Sequence, residues 1–207
     1  EYKYDIYGNI MTDDNKGIVV TYNHMNLPIQ ISFRTGQIIN YLYDASGKKL
    51  KKTIVSGTET TTTDYLSGFQ YINGTLDLFP TAEGYVKYLP TTTDTEAYFN
   101  YAFNYTDHLG NIRLSYGMDK EKGRLYILEE NHYYPFGMKH EKYNSDRFEY
   151  VQIDSGGQYP VGIEPISPQA RKSYQYKYNG KEFQDELGLN LYDYGARNYD
   201  PAIGRWM

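Results

Sequence analysis

Apolar and polar residues alternate in short runs along this chain. Ile18-Val-Val-Thr-Tyr22, Ile29-Gln-Ile-Ser-Phe33 and Ile38-Ile-Asn-Tyr-Leu-Tyr43 each read as a strand with one buried face. A turn phrase bounds each run. Tyr4-Asp5-Ile-Tyr-Gly8, Tyr22-Asn23-His-Met-Asn26 and Tyr43-Asp44-Ala-Ser-Gly47 share the form Tyr-Asp/Asn-x-x-Gly/Asn. The tyrosine ends a strand and packs inward. Asp or Asn bonds back to the backbone and starts a turn. Gly or Asn three residues later accepts positive φ. The spacing, from Tyr4 to Tyr22 to Tyr43, holds two short strands and two turns, which makes one hairpin per repeat.

The pattern continues less regularly. Asn73-Gly74 is a hairpin turn. Further strands are predicted at 84–89, 99–105, 112–116, 124–129 and 174–178. Between about 139 and 173 the alternation fades, and Asp154-Ser-Gly-Gly157 with Pro160, Pro165 and Pro168 marks a loop or insertion. The segment from Lys181 to Leu187 is the best helix candidate, with Phe183 and Leu187 four apart and Gly188 as its stop. Leu189 to Tyr199 reads as one central strand, packed by Tyr192, Tyr194 and Tyr199. Asp200-Pro201-Ala-Ile-Gly204 is a turn, and Arg205-Trp206 opens a further strand.

Composition sharpens this. The chain has 207 residues, 26 of them tyrosine, and a formal net charge of −5. A tyrosine buries a large ring and still presents a hydroxyl, so sheets can pack through aromatic bodies with wet tips. There is no cysteine, which excludes disulfides and thiol chemistry. No apolar run approaches the length of a membrane span. Mild acidity and scattered basic residues argue against nucleic acid. The basic run Lys48-Lys49-Leu50-Lys51-Lys52 reads as a solvated edge strand. The chain opens at Glu1 and stops just past its only tryptophan, so both ends read as the boundaries of a fragment.

Three phrases go further. Tyr105-Thr-Asp107-His108-Leu-Gly110-Asn111-Ile-Arg113 comes first, then Tyr133-Tyr134-Pro135-Phe-Gly137-Met138. The third runs from Tyr178-Asn179-Gly180-Lys-Glu182 through Gly188, Tyr192, Arg197 and Tyr199 to Asp200-Pro201-Ala-Ile-Gly204-Arg205-Trp206. In this order they resemble the RHS repeat-associated core domain of bacterial RHS/YD-repeat proteins, in the style of Bacteroidetes members. The earlier turn phrases resemble YD repeats of that family. The resemblance divides the chain into YD hairpins (1–104) and an RHS core region (105–207, with 139–173 as the insertion), within one continuous sheet. It implies a secreted or cell-surface protein whose hairpins wind into a hollow β-shell. The core domain would cap that shell, and a variable C-terminal cargo, often a toxin, would be held inside. Relatives of the family include the C components of insecticidal toxin complexes.

In some members the core also cleaves its own chain by an aspartyl mechanism. That chemistry needs two carboxylates sharing a site. The motif position after Arg197 here is Asn198, whose amide cannot carry the proton. Asp200 matches the Tyr-Asp-Pro aspartate, and its ordinary role is a turn before Pro201. The second aspartate of the motif is absent. His24, His108, His132 and His140 are too scattered for a metal site. No cofactor or metal is expected.

The fold expected is therefore all-β: a long curved antiparallel sheet of consecutive hairpins with one or two short helices. The function expected is a non-catalytic segment of an encapsulating shell, whose partner is the remainder of its own polypeptide. One alternative is a carbohydrate-binding surface using exposed tyrosines, which three or more exposed rings in one cleft would favour. A second is part of an autoprotease that needs residues beyond 207. Exposed sheet edges predict self-association of the fragment.

Overall fold

The computed structural model describes residues 1–91, 96–119, 124–140, 148–152, 161–165 and 174–207. The first thirteen strands are β1 (Tyr2–Tyr4), β2 (Ile10–Asp13), β3 (Ile18–Tyr22), β4 (Pro28–Phe33), β5 (Ile38–Tyr43), β6 (Lys49–Ser56), β7 (Glu59–Leu66), β8 (Phe69–Ile72), β9 (Thr75–Pro80), β10 (Gly84–Leu89), β11 (Tyr98–Thr106), β12 (Ile112–Asp119) and β13 (Arg124–Glu130). They form one antiparallel sheet in strict sequence order. The expected boundary after residue 104 falls inside β11.

One local device builds this sheet. Asp5, Asn23, Asp44 and Asp107 each accept two backbone N–H bonds on Oδ1, from the residues two and four ahead, at 2.8–3.0 Å. The residue three ahead donates its N–H to the backbone carbonyl of the Asp or Asn and takes positive φ: Gly8 (85°), Asn26 (59°), Gly47 (84°) and Gly110 (81°). Each turn is followed by a bulge. Register shifts leave Met11, Ile29, Leu50 and Arg113 as the extra residue on the strand leaving the turn. A bulge bends its strand and raises the local twist. Consecutive turns alternate between the two ends of the sheet, so all four lie along one rim.

Tyrosine hydroxyls join these turns to one another. Tyr22 donates to the Ile10 carbonyl (2.9 Å), Tyr43 to that of Pro28 (3.0 Å) and Tyr133 to that of Ile112 (3.0 Å). Each acceptor is the residue immediately before a bulge. Burial, reinforced by the Asp5 charge, pushes the Tyr22 hydroxyl up to about 12, so it keeps its proton and donates. Tyr4, on the terminal strand, is exposed.

The C-terminal strands form a second, four-stranded antiparallel sheet: β16 (Glu182–Gln184), β17 (Leu191–Asp193), β18 (Asn198–Asp200) and β19 (Arg205–Trp206). Its Leu189, Leu191 and Met207 pack with Ile10, Ile18, Val20, Ile31, Ile39 and Tyr41 of the large sheet in one buried cluster. A separate hairpin pairs β14 (Phe148–Gln152) with β15 (Val161–Pro165). The rest of the expected 139–173 insertion lies largely outside the described residues.

Five sequence expectations are corrected. The sheet is not continuous through the C terminus, because the last strands pair only among themselves. Lys48–Lys52 is not a solvated edge: β6 lies between β5 and β7, and Lys52 is 2% exposed. The segment 181–187 is strand β16 followed by a 3-10 turn, Glu186–Gly188. Its alternation of buried Glu182 and Gln184 about half-buried Phe183 has period two, and only the buried polar residues disguise it. Leu189–Tyr199 is a hairpin, β17 and β18, broken at Gly195 (φ 87°). Tyr174–Tyr178 is not a ladder strand. It lies across the large sheet, with the Lys177 carbonyl accepting from Ile112 N–H and Tyr174 stacked on Tyr85 at 4.0 Å.

Tyr43→Phe removes one hydroxyl bond and is expected to cost about 1 kcal/mol. Gly47→Ala forces a Cβ into the left-handed region, at about 1–2 kcal/mol. Urea unfolding reads both. No loss in either Tyr43→Phe or Tyr22→Phe would show that the hydroxyl ladder contributes nothing.

Candidate functional site: the joint between the two sheets

The three ordered phrases converge at this joint. Asn111 follows the turn at Asp107, donates from Nδ2 to Asp107 Oδ2 (3.1 Å) and accepts the Asn179 N–H on Oδ1 (3.0 Å). Gly137 closes the Tyr134–Gly137 turn at φ 83°, and its carbonyl accepts the Tyr192 hydroxyl at 3.0 Å. A Cβ on Gly137 would sit 2.5 Å from the Tyr178 ring. The Phe136 carbonyl accepts from Tyr199 (3.2 Å), and its ring lies against Gly204. Arg113 lies over the Tyr133 ring. His108, Pro135, Gly180 and Gly188 are exposed turn residues.

Between the sheets lies a cluster of buried charges. Glu182, at the start of β16, receives Lys52 Nζ at 2.7 Å and Lys49 Nζ at 2.6 Å. Lys52 also bonds Glu186 (2.6 Å), and Lys49 bonds Asp193 (2.5 Å). The Tyr65 hydroxyl donates to Glu182 at 2.7 Å. The bulge at Leu50 explains how this is possible. It adds one residue between Lys49 and Lys52, so both side chains reach the same face while Lys51 turns away to Asp64.

Burial works against the Lys49 and Lys52 cations, but the adjoining carboxylates outweigh it and raise both above the ordinary lysine range. Burial likewise opposes the Glu182 anion, and the two lysines outweigh it, holding its carboxyl well below the usual range. Two further pairs flank the cluster. Lys177 meets Glu129 at 2.5 Å, both nearly buried, and Lys16 meets Asp200 at 3.1 Å. The Tyr41 hydroxyl donates to Gln184 Oε1.

The autoprotease-motif residues sit in this second sheet. Arg197 is exposed and lies over the Trp206 ring at 5.3 Å, and among the described residues it pairs with no buried carboxylate. Asn198 is buried and accepts from Gln184 Nε2. Asp200 is buried, bonds Ala202 N–H through Oδ1 at 2.9 Å and holds Lys16. Asp200 and Asn198 are thus engaged in the turn and the joint. Sequence reasoning missed Lys49, Lys52, Glu186, Asp193, Lys177 and Glu129. The available signal was the position of the lysine run, inside a series of hairpins and so not at an edge. Among the described residues no group of acidic and histidine side chains gathers to hold a metal ion.

Lys52→Met leaves Glu182 and Glu186 short of a buried cation and is expected to destabilise the docked sheet by about 3–5 kcal/mol. The pH profile follows the same groups. Glu182 is depressed in the folded state, so its contribution is full above the unfolded glutamate pKa and fades as pH falls through the lower folded value. The lysines are raised, so theirs is full below the unfolded lysine pKa and fades as pH climbs through the higher folded value. Stability should therefore stay level from about pH 5 to about pH 10 and fall on both sides. A flat profile into strong acid, or an unaltered Lys52→Met, would remove the cluster from the docking. Gly137→Ala should expose 174–207 to proteolysis while sparing the hairpins of 1–91.

No protein-family profile and no curated protein matches this chain. Solved structures do. A chain of the TcdB2-TccC3-Cdc42 crystal structure aligns with a TM-score of 0.66 and 18% identity, over 98% of this chain and 9% of that one. A chain of a mutant Tc holotoxin pore from Photorhabdus luminescens aligns at 0.64 and 18%, over 98% and 9%. A chain of the TcdB2-TccC3 crystal structure aligns at 0.63 and 17%, over 98% and 10%. The chain thus spans about a tenth of those it matches. At this identity the likeness shows the fold: an open antiparallel sheet shared with toxin-complex chains, which fits the RHS-type fragment read from the three phrases.

Proposed function

We propose that this chain is a wall segment of an encapsulating RHS-type shell, exported by its cell, and that it acts by enclosing rather than by catalysis. The observation that carries this is the uniform meander. Each of the first thirteen strands pairs within the sheet only with its sequence neighbours, and one turn device recurs along one rim. Such a sheet is extensible without limit, which is what a wall needs. Shared fold with toxin-complex chains across nearly the whole length supports the same reading.

Ring packing supports it too. Phe69 meets Phe79 at 4.8 Å, Tyr88 meets Phe99 at 5.5 Å, and Phe103 meets Tyr116 at 5.6 Å, each pair across neighbouring strands. Cross-strand aromatic pairs of this kind stabilise a sheet. The partner on this reading is the rest of the same polypeptide. The joint fastens the second sheet onto the wall, and the buried charges set where it sits. Self-cleavage is not assigned to this chain, because Asn198 replaces an acid and Asp200 is tied to Lys16 and Ala202.

The test is electron cryomicroscopy of the complete polypeptide. Residues 1–130 are expected as part of a closed wall, with 174–207 on its inner side. An isolated, open sheet on the outside of the particle would overturn the proposal. Mass spectrometry of the same preparation should give an Asp200→Asn variant the same fragment pattern as the parent.

A further inference from the structure

Three buried side chains gather where the segment from Tyr174 to Tyr178 crosses the last strands of the wall. Lys177, Glu129 and Asn131 are 4%, 4% and 0% exposed. The Lys177 ammonium lies 2.5 Å from Glu129 Oε2, and Ser115 Oγ stands 3.2 Å from Glu129 Oε1. Asn131 continues β13, donating its N–H to the Arg113 carbonyl at 2.8 Å as a ladder residue would. It stands two residues beyond Glu129, so both side chains leave the same face of the strand. Half-buried Glu130 between buried Glu129 and Asn131 agrees with this.

Lys177 is anchored at both ends. Its carbonyl accepts the Ile112 N–H at 2.8 Å, and its ammonium ends on Glu129, whose ladder partner is Ser115. Asn131 bonds Arg113, which lies between Ile112 and Ser115 on β12. The lysine stem therefore passes the row that holds Asn131, and amine, carboxylate and carboxamide share one buried space. Among the described residues neither Oδ1 nor Nδ2 of Asn131 has a hydrogen-bond partner. An unpaired amide in the interior is costly, and one this deeply buried calls for a reason.

Amine, carboxamide and carboxylate held together away from water are the parts of an amide exchange. Proximity replaces the entropy of encounter, and the carboxylate can serve as base and then as acid. We propose that Lys177 and Asn131 join in a self-made isopeptide bond, with Glu129 carrying the protons. Glu129 takes one proton from the ammonium, and the freed amine attacks Asn131 Cγ, forming the Nζ–Cγ bond. Glu129 passes that proton to Nδ2 and takes the second proton from Nζ as the Cγ–Nδ2 bond breaks. The released ammonia leaves as ammonium with the proton that Glu129 then holds, and Glu129 returns to the carboxylate. The bond ties β13 to the crossing segment, in a chain with no cysteine for a disulfide. This goes beyond the wall role and does not depend on it.

The test is intact-mass spectrometry of the purified 207-residue chain, followed by tryptic mapping. The intact mass is expected to fall short of the sequence mass by one ammonia. Trypsin should not cleave after Lys177, and the digest should yield a branched peptide joining Lys177 to Asn131. Lys177→Arg and Asn131→Ala should each show their full sequence mass. So should Glu129→Gln, which keeps both reacting groups. Circular dichroism checks that each variant folds, and the mass and digest of the parent decide the matter where one does not. A parent of full sequence mass would overturn the proposal. So would an ammonia loss that maps to linear peptides at Asn73-Gly74 or Asn179-Gly180, where ring closure to a succinimide sheds the same mass. An undiminished branched peptide in Glu129→Gln would overturn the role given to Glu129.

Discussion

The structure rests on one side-chain oxygen holding two backbone amides. Wherever Asp5, Asn23, Asp44 or Asp107 does this, the turn is closed, the following glycine or asparagine is set to positive φ, and a bulge follows on the next strand. The bulge shifts the phase of the outgoing strand by one residue. In β6 that shift is what turns both Lys49 and Lys52 toward the second sheet. A local hydrogen bond at the rim therefore decides which charges are available in the interior.

The interior itself is unusual for a sheet interface. An apolar cluster covers only part of the joint, and the remainder is lysine, glutamate, aspartate and tyrosine hydroxyl. Burying ion pairs adds little net stability, since desolvation offsets the attraction. What such pairs do well is exclude wrong arrangements. A slide of β16 along its strand direction would strand Glu182 away from both lysines, at a cost of several kcal/mol. Apolar contacts alone would tolerate that slide far better. The charges thus fix position, and the Leu189–Leu191–Met207 contacts supply attraction.

Much of the wall was legible because its signals are local. Ile18–Tyr22 and Ile38–Tyr43 are strands with the bounds their alternation predicts, and Asn73-Gly74 is a hairpin turn. The joint was legible only as three phrases, without the reason for their residues. That reason is long-range: Gly137 is small because Tyr178 lies against it, and Asn111 is an amide because it both donates to Asp107 and accepts from Asn179. The charge cluster was misread for a related cause. Alternation reports a buried face only when the buried residues are apolar, and here Lys52, Glu182 and Gln184 occupy that face. Tyr174–Tyr178 was misread as a strand because aromatic alternation suits a segment crossing a sheet as well as one pairing within it.

The two kinds of contact also differ in when they can form. Hairpin contacts join residues close in sequence, so each repeat closes cheaply and the wall grows by neighbours. The joint links Lys16 to the Leu189 carbonyl and Lys49 to Asp193, 173 and 144 residues apart. Closing such loops costs entropy that no single ion pair returns. The joint therefore needs the wall in place first, because only then are Lys16, Lys49, Lys52 and Glu129 already positioned to meet their partners together. A sheet assembled locally and then fastened by a distant, position-specific clamp suits a wall that must close at a defined place along its length.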